Sequence, residues 1–486
     1  MKNKLRYLIT FICLSFLMFM ASNAWAVLEY MDGKLMISGF FRTQVGIHIG
    51  QRNPNLDFTG EDNHHLSMFR NSIQLEPEYK FTDLCSLYAR LRFANEDAEW
   101  DDDLKEFQAF PKSYPGDLKL EEDQNMFELE EVYLDWEDEA ERFWLRLGKQ
   151  QVSWGQTDGL RLLDIVNPLD QTWHGVNLLE PYLEAFDNLR ESLWMVRATG
   201  VLPSFAEDLY DLQLELLWIP QRFVPVQLPD ARSPYNLLPF ANIGLPVDEE
   251  HPHGQEWGFR LMGVYKHVEF SLNYFSHYVD EGLTNIGTLF TKGYINIEHP
   301  RKDSYGFSLT YDDNLHTKAV YRLEFLYEPN ASYESAGPFG PMSGPIVDRG
   351  TIKYVLGIDR PTFIKPLNRN RTFSFGFQLI QFIVVENGDD LKQDGITLNG
   401  SPVKEMTTMF SLSCDTAYMQ DRIKPNFLFI YDEHQAYYVQ TGCEFRFSDH
   451  LIANTAISLF GGEDKSCSIG SLYWMDEFMF RLTYQF

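Results

Sequence analysis

Arginine recurs along the chain at positions that alternate with apolar residues. Around residues 86–93 and 320–325, arginine occupies one phase of the alternation, and leucine, phenylalanine or tyrosine occupies the other. If the apolar phase faces lipid, the arginines face inward, because an arginine at the lipid midplane would cost ~2–4 kcal/mol. The inward arginines expected on this basis are Arg70, Arg90, Arg92, Arg146, Arg197, Arg260, Arg322, Arg446 and Arg481. A pore lined by them would attract anionic solutes, since rings of like charge select ions locally.

The same arginines could instead pair with acidic residues of the wall. Candidate partners are Glu76, Glu78, Glu324 and Glu444, together with acids of the segment after residue 150. Such pairs would brace the wall and leave little net charge to act on a solute. The sequence leaves both interpretations open, an anion-selective pore and a neutralised wall.

The sequence gives little indication of a metal site or of a catalytic motif. The acidic runs at 101–103, 121–123 and 389–390 lack the Asp-x-Asp-x-Asp-Gly pattern of a calcium loop and predict solvated loop charge. The histidines at 64–65 and 251–253 lack the spacing of a helical zinc site. Neither a Gly-x-Ser-x-Gly motif nor a phosphate-binding P-loop occurs. We therefore expect no enzyme, no metal site and no cofactor.

The last nine residues form the clearest alternating segment. Apolar side chains occupy every second position, and mostly polar ones lie between them. The apolar set is Phe478, Phe480, Leu482, Tyr484 and Phe486. A strand that ends in this way is typical of outer-membrane barrels, whose last strand faces lipid and closes against the first. We interpret the set as the signal that the barrel-assembly machinery recognises.

The amino terminus predicts export. Three basic residues within the first six precede an apolar stretch, and a small-x-small site ends at Ala26. This order predicts a signal peptide at 1–26 that uses the Sec pathway, and a mature barrel at 27–486. No later run approaches the ~18 apolar residues that a membrane helix needs. We therefore predict a location in the outer membrane of a Gram-negative bacterium, in contact with its lipid and lipopolysaccharide.

Composition limits the partners and the covalent links. The chain of 486 residues holds 70 Asp and Glu against 41 Lys and Arg, and its formal net charge is −29. Nucleic acid is not expected as a partner, because its binding needs a basic surface. Cys414 and Cys443 would be the favoured disulfide if their strands were neighbours, and the alternative is that no cysteine pairs.

Alternation and turn signals predict about eighteen strands. They lie near 33–48, 66–81, 84–95, 126–137, 142–149, 190–200, 209–219, 255–266, 267–278, 304–313, 317–329, 350–360, 371–386, 405–416, 421–433, 436–447, 450–460 and 477–486. Short and long connections alternate, as periplasmic turns and extracellular loops do. The link at 434–435 is short where a long one is due, so sixteen strands is the alternative. The fold class is therefore all-β, a single transmembrane antiparallel β-barrel.

The segment after the fifth strand does not have the pattern of barrel wall. Leu160, Leu163 and Val166 have helical spacing, and a proline follows at 168. A short helix in such an apolar loop predicts a constriction folded into the lumen near 150–189, with a helix on the barrel rim as the alternative. The residues expected to line the constriction are Trp154, Asp158, Arg161, Asp164, Asn167 and Asp170, next to the wall arginines Arg70, Arg90, Arg92, Arg146 and Arg322.

Motifs in the same region resemble those of a known family. They are RxGxQxxxWG at Arg146, Gly148, Gln150, Trp154 and Gly155, N-P-x-D at Asn167, Pro168 and Asp170, and L-W-I-P at 217–220. The combination is similar to the bacterial outer-membrane family known as domain of unknown function 1302, and distantly to alginate-export and substrate-specific porin barrels. The resemblance implies an outer-membrane barrel, adds weight to transport, and brings no established activity.

Two functions follow from these observations. The first is an outer-membrane channel or export port for small or hydrophobic solutes, narrowed by the inserted segment. The second is a loop-plugged barrel that serves as a receptor or structural partner of a periplasmic or inner-membrane export system. A lumen filled by loops would favour the second.

Overall fold

The computed structural model describes residues 27–50, 53, 66–96, 125–155, 157, 161–172, 189–229, 233–235, 246–385, 391, 403–463 and 468–486. The strands are β1 (Leu28–Tyr30), β2 (Leu35–His48), β3 (Leu66–Thr82), β4 (Cys85–Glu96), β5 (Asn125–Glu137), β6 (Phe143–Gln150), β7 (Leu193–Val201), β8 (Leu209–Ile219), β9 (Val247–Glu250), β10 (Glu256–Tyr265), β11 (Val268–Tyr278), β12 (Leu283–Asn285), β13 (Ile295–Glu298), β14 (Arg301–Asp313), β15 (Ala319–Tyr333), β16 (Val347–Thr362), β17 (Phe373–Val384), β18 (Met406–Asp415), β19 (Ile423–Asp432), β20 (Ala436–Arg446), β21 (Leu451–Gly462) and β22 (Glu477–Gln485). The helical elements are α1 (Gly287–Lys292) and a 3₁₀ turn (Ser468–Leu472). No helix among the described residues is long and apolar enough to cross a membrane.

Eighteen strands form one closed antiparallel barrel, which confirms the prediction. Each barrel strand pairs with the next one along the chain, and β22 returns to pair with β2. In this closing pair Phe41 lies opposite Tyr484, and Gly39 and Phe486 exchange two backbone hydrogen bonds of 2.9 Å. Closure leaves no unpaired barrel edge, which is the condition for a sheet to cross lipid.

The short link between β19 and β20 is the feature that makes sixteen strands an alternative in the sequence. Asp432 Oδ1 accepts the backbone N–H groups of His434 at 2.9 Å and Ala436 at 3.0 Å. Gln435 adopts a left-handed φ of 60°. An acidic side chain thus satisfies the turn locally, so two strands can join tightly at the end where the other connections are long.

The two faces of the wall differ as the alternation predicts. On β16, Leu356 and Ile358 are 44% and 41% exposed, whereas Val355 is 3% exposed. Exposed leucine, phenylalanine, tyrosine and tryptophan recur on the outward phase around the barrel, and a bilayer covers a surface of this kind. Tight turns such as 266–267 lie at one end of the barrel, the short-turn end, and long links such as 151–192 lie at the other, the long-loop end.

The conditional disulfide between Cys414 and Cys443 does not form. The described cysteines are free. Strand β19 lies between β18 and β20, so Cys414 is opposite Phe427 and Cys443 is opposite Pro425. The condition that the two strands be neighbours therefore fails.

A small second sheet lies in the long loops. Strand β13 pairs with β12 antiparallel and with β9 parallel. The buried His299 joins this sheet to the barrel rim, because its Nδ1 is 2.7 Å from the Val279 carbonyl and its Nε2 is 3.0 Å from Glu249 Oε1. The pKa of Glu249 is lowered, chiefly by the hydrogen bond from His299.

Acid should loosen the small sheet. Because the folded state lowers the pKa of Glu249, its carboxylate stabilises the sheet above the ordinary value of 4.5, and this stabilisation is lost as the pH falls through the lowered pKa. We expect amide exchange at 247–250 and 295–298 to speed up below pH 4.5, relative to the barrel strands and after correction for intrinsic rates. In Glu249→Gln, the amides of the small sheet should already exchange fast at neutral pH. If acid speeds up their exchange as much in this variant as in wild type, Glu249 is not the group that makes the sheet sensitive to acid.

Candidate functional site

The inward side chains change from accessible to buried along the barrel. On β15, the Arg322 side chain near the short-turn end is 19% exposed, whereas Glu324 and Leu326 further along are each 2% exposed. On β20, the Arg446 side chain at the short-turn end is 46% exposed, and Tyr438 towards the long-loop end is fully buried. The short-turn half of the lumen is thus accessible to solvent, and protein fills the long-loop half.

The five predicted wall arginines face inward, and each contacts a carboxylate on a neighbouring strand. The N–O distances are 3.1 Å for Arg70–Glu96, 3.2 Å for Arg90–Glu131, 2.5 Å for Arg92–Glu130, 2.7 Å for Arg146–Asp135 and 2.7 Å for Arg322–Asp359. Charge is therefore compensated locally, as in the neutralised-wall interpretation. A net attraction for anions stays a prediction.

The structure explains the residue types at two positions of the motif around Arg146. Arg146 donates from Nε and Nη2 to the two oxygens of Asp135, at 2.7 and 2.8 Å, and its guanidinium lies 3.7 Å from the Tyr133 ring centroid. Gly148 has a φ of 146°, and a Cβ there would lie 2.2 Å from the carbonyl oxygen of Val132. Only glycine fits this close crossing of β5 and β6.

Asn167 ties the inserted segment to both ends of its loop. Its Oδ1 accepts the backbone N–H of Val152 at 2.8 Å, and its Nδ2 donates to the carbonyls of Gln150 at 3.3 Å and Glu191 at 2.8 Å. The residue is fully buried. One side-chain amide thus satisfies backbone groups at the point where β6 and β7 separate. The Asn167 side chain thus stabilises the loop and is not exposed to solvent.

Trp154 holds the segment through its ring and its N–H group. Nε1 donates to Glu215 Oε1 on β8 at 2.6 Å, and the ring meets Phe275 edge-on with centroids 5.9 Å apart. The side chain is 1% exposed. Its other apolar neighbours are Val152, Val166, Leu193, Met195, Leu217 and Ile219. Trp154 is therefore packed between the segment and the wall.

The charged residues of the segment make their contacts within the loop. Arg190 donates to Asp164 Oδ2 at 2.8 and 2.5 Å, and Arg161 Nε is 3.4 Å from the same oxygen. Asp170 accepts two hydrogen bonds from the second residue after it, in its own turn. Asp158, also predicted to line the constriction, lies outside the described residues. The structure thus brings Arg161 and Asp164 together and places Asp170 apart from them.

The predicted loop in the lumen is confirmed, but its described part, 161–172, forms bends and isolated bridges and no helix. Leu162 and Leu163 pack into one apolar cluster, and Val166 packs into another. The side chains that helical spacing would place on one face therefore pack into two different clusters. Tertiary packing outweighs local helix propensity here.

An apolar cluster that sequence reasoning missed fills the long-loop half, and we call it the lumenal cluster. Its wall members are Met68, Leu326, Val355, Ile380, Met409, Leu428, Ile430, Ala436, Tyr438 and Phe460. Its loop members are Leu162, Leu163, Tyr235, Ile469, Leu472, Trp474 and Met475. Three separate connections therefore meet inside the barrel. A signal was present in the sequence, because β17, β19 and β20 carry apolar residues on both phases near the long-loop end.

Tyr235 fastens one of these loops to the strands that close the barrel. Its hydroxyl donates to Glu477 Oε1 on β22 at 2.5 Å, and the Ser67 hydroxyl on β3 donates to the same oxygen. The ring of His48 on β2 meets Tyr235 edge-on at 5.5 Å. The loop thus contacts β22 through a hydrogen bond and β2 through a ring contact, and Ser67 on β3 shares the carboxylate oxygen that Tyr235 uses.

Comparisons with known proteins agree with this fold. OccAB1 of Acinetobacter baumannii has a TM-score of 0.51 at 9% identity, covering 94% of this chain and 97% of its own. OccAB4 of the same organism has a TM-score of 0.49 at 8% identity, covering 93% and 98%. OmpF of Salmonella typhi, in a complex with daunomycin, has a TM-score of 0.43 at 9% identity, covering 94% and 100%. At such identities a likeness shows the fold alone.

A search of the curated proteins found no match. The family described as "Protein of unknown function (DUF1302)" matches residues 8–398, which include the inserted segment, its anchors and the arginines of β3 to β6. The match covers most of the chain. The protein belongs to the DUF1302 family.

Proposed function

We propose that this protein is an outer-membrane channel for small or hydrophobic solutes, closed at rest in its long-loop half. The proposal rests on one observation. The short-turn half of the lumen is accessible and contains ion pairs, whereas the long-loop half is closed by a plug made only of loops. The wall is complete without the plug, because every barrel strand is paired on both sides. Loops can move aside at a lower free-energy cost than wall strands can separate.

The location follows from the same features. The outward apolar face supports a barrel embedded in lipid, and the family and the Occ-type fold support the outer membrane of a Gram-negative bacterium. In this orientation the short-turn end faces the periplasm and the long loops face outward. Export by Sec, assembly by the barrel-assembly machinery and contact with lipopolysaccharide belong to this proposal.

The solute class is suggested by what lines the closed half. Tyr438, Phe460 and Trp474 of the lumenal cluster lie on the route beyond the ion-paired half. A solute that displaces the plug would meet aromatic and aliphatic side chains there, which favour apolar or amphipathic molecules. Paired arginines and carboxylates in the other half offer hydrogen bonds without a strong net charge.

The lumenal cluster also favours a second function. Buried apolar packing contributes roughly 25 cal/mol per Å² of apolar surface removed from water, and seventeen residues take part. A plug of this stability would be typical of a receptor or of a structural partner of a periplasmic or inner-membrane export system. In that case the barrel would open only when the export system binds it.

Single-channel recording separates the two functions. In a planar bilayer, the refolded wild type should show rare, discrete openings, and a variant lacking 156–170 should show larger or more frequent ones. A matched control shortens the turn at 338–341, where Phe339 is 53% exposed, and should behave as wild type. If the deletion variant keeps its barrel and still passes no current, the channel proposal fails and the partner-opened barrel is supported.

A further inference from the structure

Three side chains with metal-binding atoms meet at the long-loop rim of the barrel. One ring nitrogen of His277 and one carboxylate oxygen from each of Glu256 and Asp280 lie within 4.8 Å of one another. Among the described residues, no other group of this kind is found. None of the three side chains belongs to the lumenal cluster.

Strand pairing brings these residues together. Glu256 is the first residue of β10, and His277 is the last but one of β11. Trp257 lies opposite Ser276, so Glu256 falls next to His277 on the inward face of the two strands. Asp280 follows where the chain leaves β11. The group is thus built on two rigid strands and one loop residue, which fixes two ligands and lets the third adjust.

His277 has a buried nitrogen that makes no hydrogen bond. The residue is 3% exposed, and its Nε2 is 3.0 Å from Ser304 Oγ. Ser304 donates its own proton to Glu328 at 3.2 Å, so it must accept from Nε2–H. The lone pair is then on Nδ1, which is buried without a hydrogen-bond partner. Metal-bound histidines are oriented in this way, by a hydrogen bond from the other ring nitrogen.

Neither carboxylate forms an ion pair among the described residues; the charges of Arg301 on Glu256, and of Arg161 and Lys302 on Asp280, act from further away. Glu256 is 7% exposed, and its Oε1 accepts the backbone N–H of Tyr278 at 2.9 Å. The nearby Lys302 is paired with Glu328 at 2.9 Å, and Arg301 donates to Ser276 Oγ at 3.1 and 3.0 Å. Two carboxylates close together are repulsive unless a positive charge lies between them, and a divalent ion would balance both.

We propose that Glu256, His277 and Asp280 bind a divalent transition-metal ion of the zinc class, with water in the remaining position. Imidazole and carboxylate ligands suit such ions. Ligand atoms around tetrahedral zinc are about 3.3 Å apart, given metal–ligand distances of roughly 2.0–2.1 Å. The three ligand atoms, which lie within 4.8 Å of one another, therefore need only small side-chain rotations to reach the distances of a zinc site.

The site would fasten the loop that holds the inserted segment. The carbonyl of Asp280 accepts the backbone N–H of Val226 at 3.1 Å. The next residue, Gln227, exchanges backbone hydrogen bonds of 2.9 and 2.8 Å with Leu169 and Gln171. A metal ion on Asp280 would thus stabilise the strand-like pairing beneath the plug. The metal site itself does not depend on whether the barrel conducts.

Zinc binding by the refolded full chain tests the site. After equilibration with Zn²⁺ and removal of free metal, mass spectrometry should find one zinc ion per wild-type chain. Asp280→Asn and Glu256→Gln keep the shape of the side chains and should lower zinc affinity at least tenfold. His251→Ala, at a histidine whose side chain is 49% exposed, is the control and should retain zinc.

A second readout follows the loop. Zinc should slow amide exchange at 221–229 in wild type and not in Asp280→Asn. Folded wild type that retains no zinc, equal zinc in wild type and Asp280→Asn, or retention of Ca²⁺ in preference to Zn²⁺ would each overturn the proposal.

Discussion

Asn167→Ala should open the lumen of an intact barrel. Alanine leaves the N–H of Val152 and the carbonyls of Gln150 and Glu191 without their side-chain partner. Each buried backbone group left in this way costs ~1–3 kcal/mol. A total of about 3 kcal/mol would raise the population of the displaced segment on the order of 100-fold. The measurement is the open probability of single channels in a planar bilayer.

The control for this substitution is Asn426→Ala. Asn426 is likewise an asparagine inside the barrel, but it lies in the wall, on β19, and its Oδ1 is buried without a hydrogen-bond partner. Its loss should leave the open probability within about twofold of wild type. If Asn167→Ala folds, keeps its resistance to unfolding by detergent on a gel, and opens no more often than wild type, then Asn167 is not what holds the plug closed.

Glu328→Gln should strongly destabilise the barrel wall. Glu328 is 1% exposed and lies 2.9 Å from the ammonium groups of both Lys302 and Lys353. The neutral amide leaves these cations without their counter-charge. Breaking a buried ion pair from one side costs ~3–5 kcal/mol. Denaturant unfolding, followed by tryptophan fluorescence, should show a lower midpoint by the corresponding amount.

Glu444→Gln is a matched control for the same chemistry in a solvated position. Glu444 likewise contacts two cations, Lys424 at 3.1 Å and Arg446 at 2.6 Å, but the side chains of those cations are 35% and 46% exposed. Exposed pairs contribute ~0–1 kcal/mol, so the midpoint should barely move. Equal shifts in the two variants would show that the burial of Glu328 does not decide its contribution.

Much of the wall could be predicted because strand alternation is a local signal. Each of the eighteen predicted segments overlaps a barrel strand. The bounds were least accurate at the long-loop ends of strands. The segment predicted at 317–329 is Ala319–Tyr333, and that at 350–360 is Val347–Thr362. At these ends the inward side chains pack against loops, and the alternation of apolar and polar residues fades.

Contacts between distant segments could not be predicted in the same way. Cys414 and Cys443 would have been the favoured pair only if their strands were neighbours, and β19 separates those strands. Leu163 and Val166 looked like one helical face, yet they pack into two different clusters. The metal site that we propose has no signal in local spacing, because Glu256 and His277 become neighbours only through strand pairing.

The sequence by itself therefore determined the class of fold, the place of each strand, the outward apolar phase and the family motifs, because each depends on residues within one or two strands. The tertiary structure decided which carboxylate each arginine meets, and that three loops fill one half of the lumen. It also decided that Asn167 and Trp154 act as anchors inside the protein. These features depend on which strands become neighbours and how loops pack into the closed barrel, and such long-range contacts leave no fixed spacing in the chain.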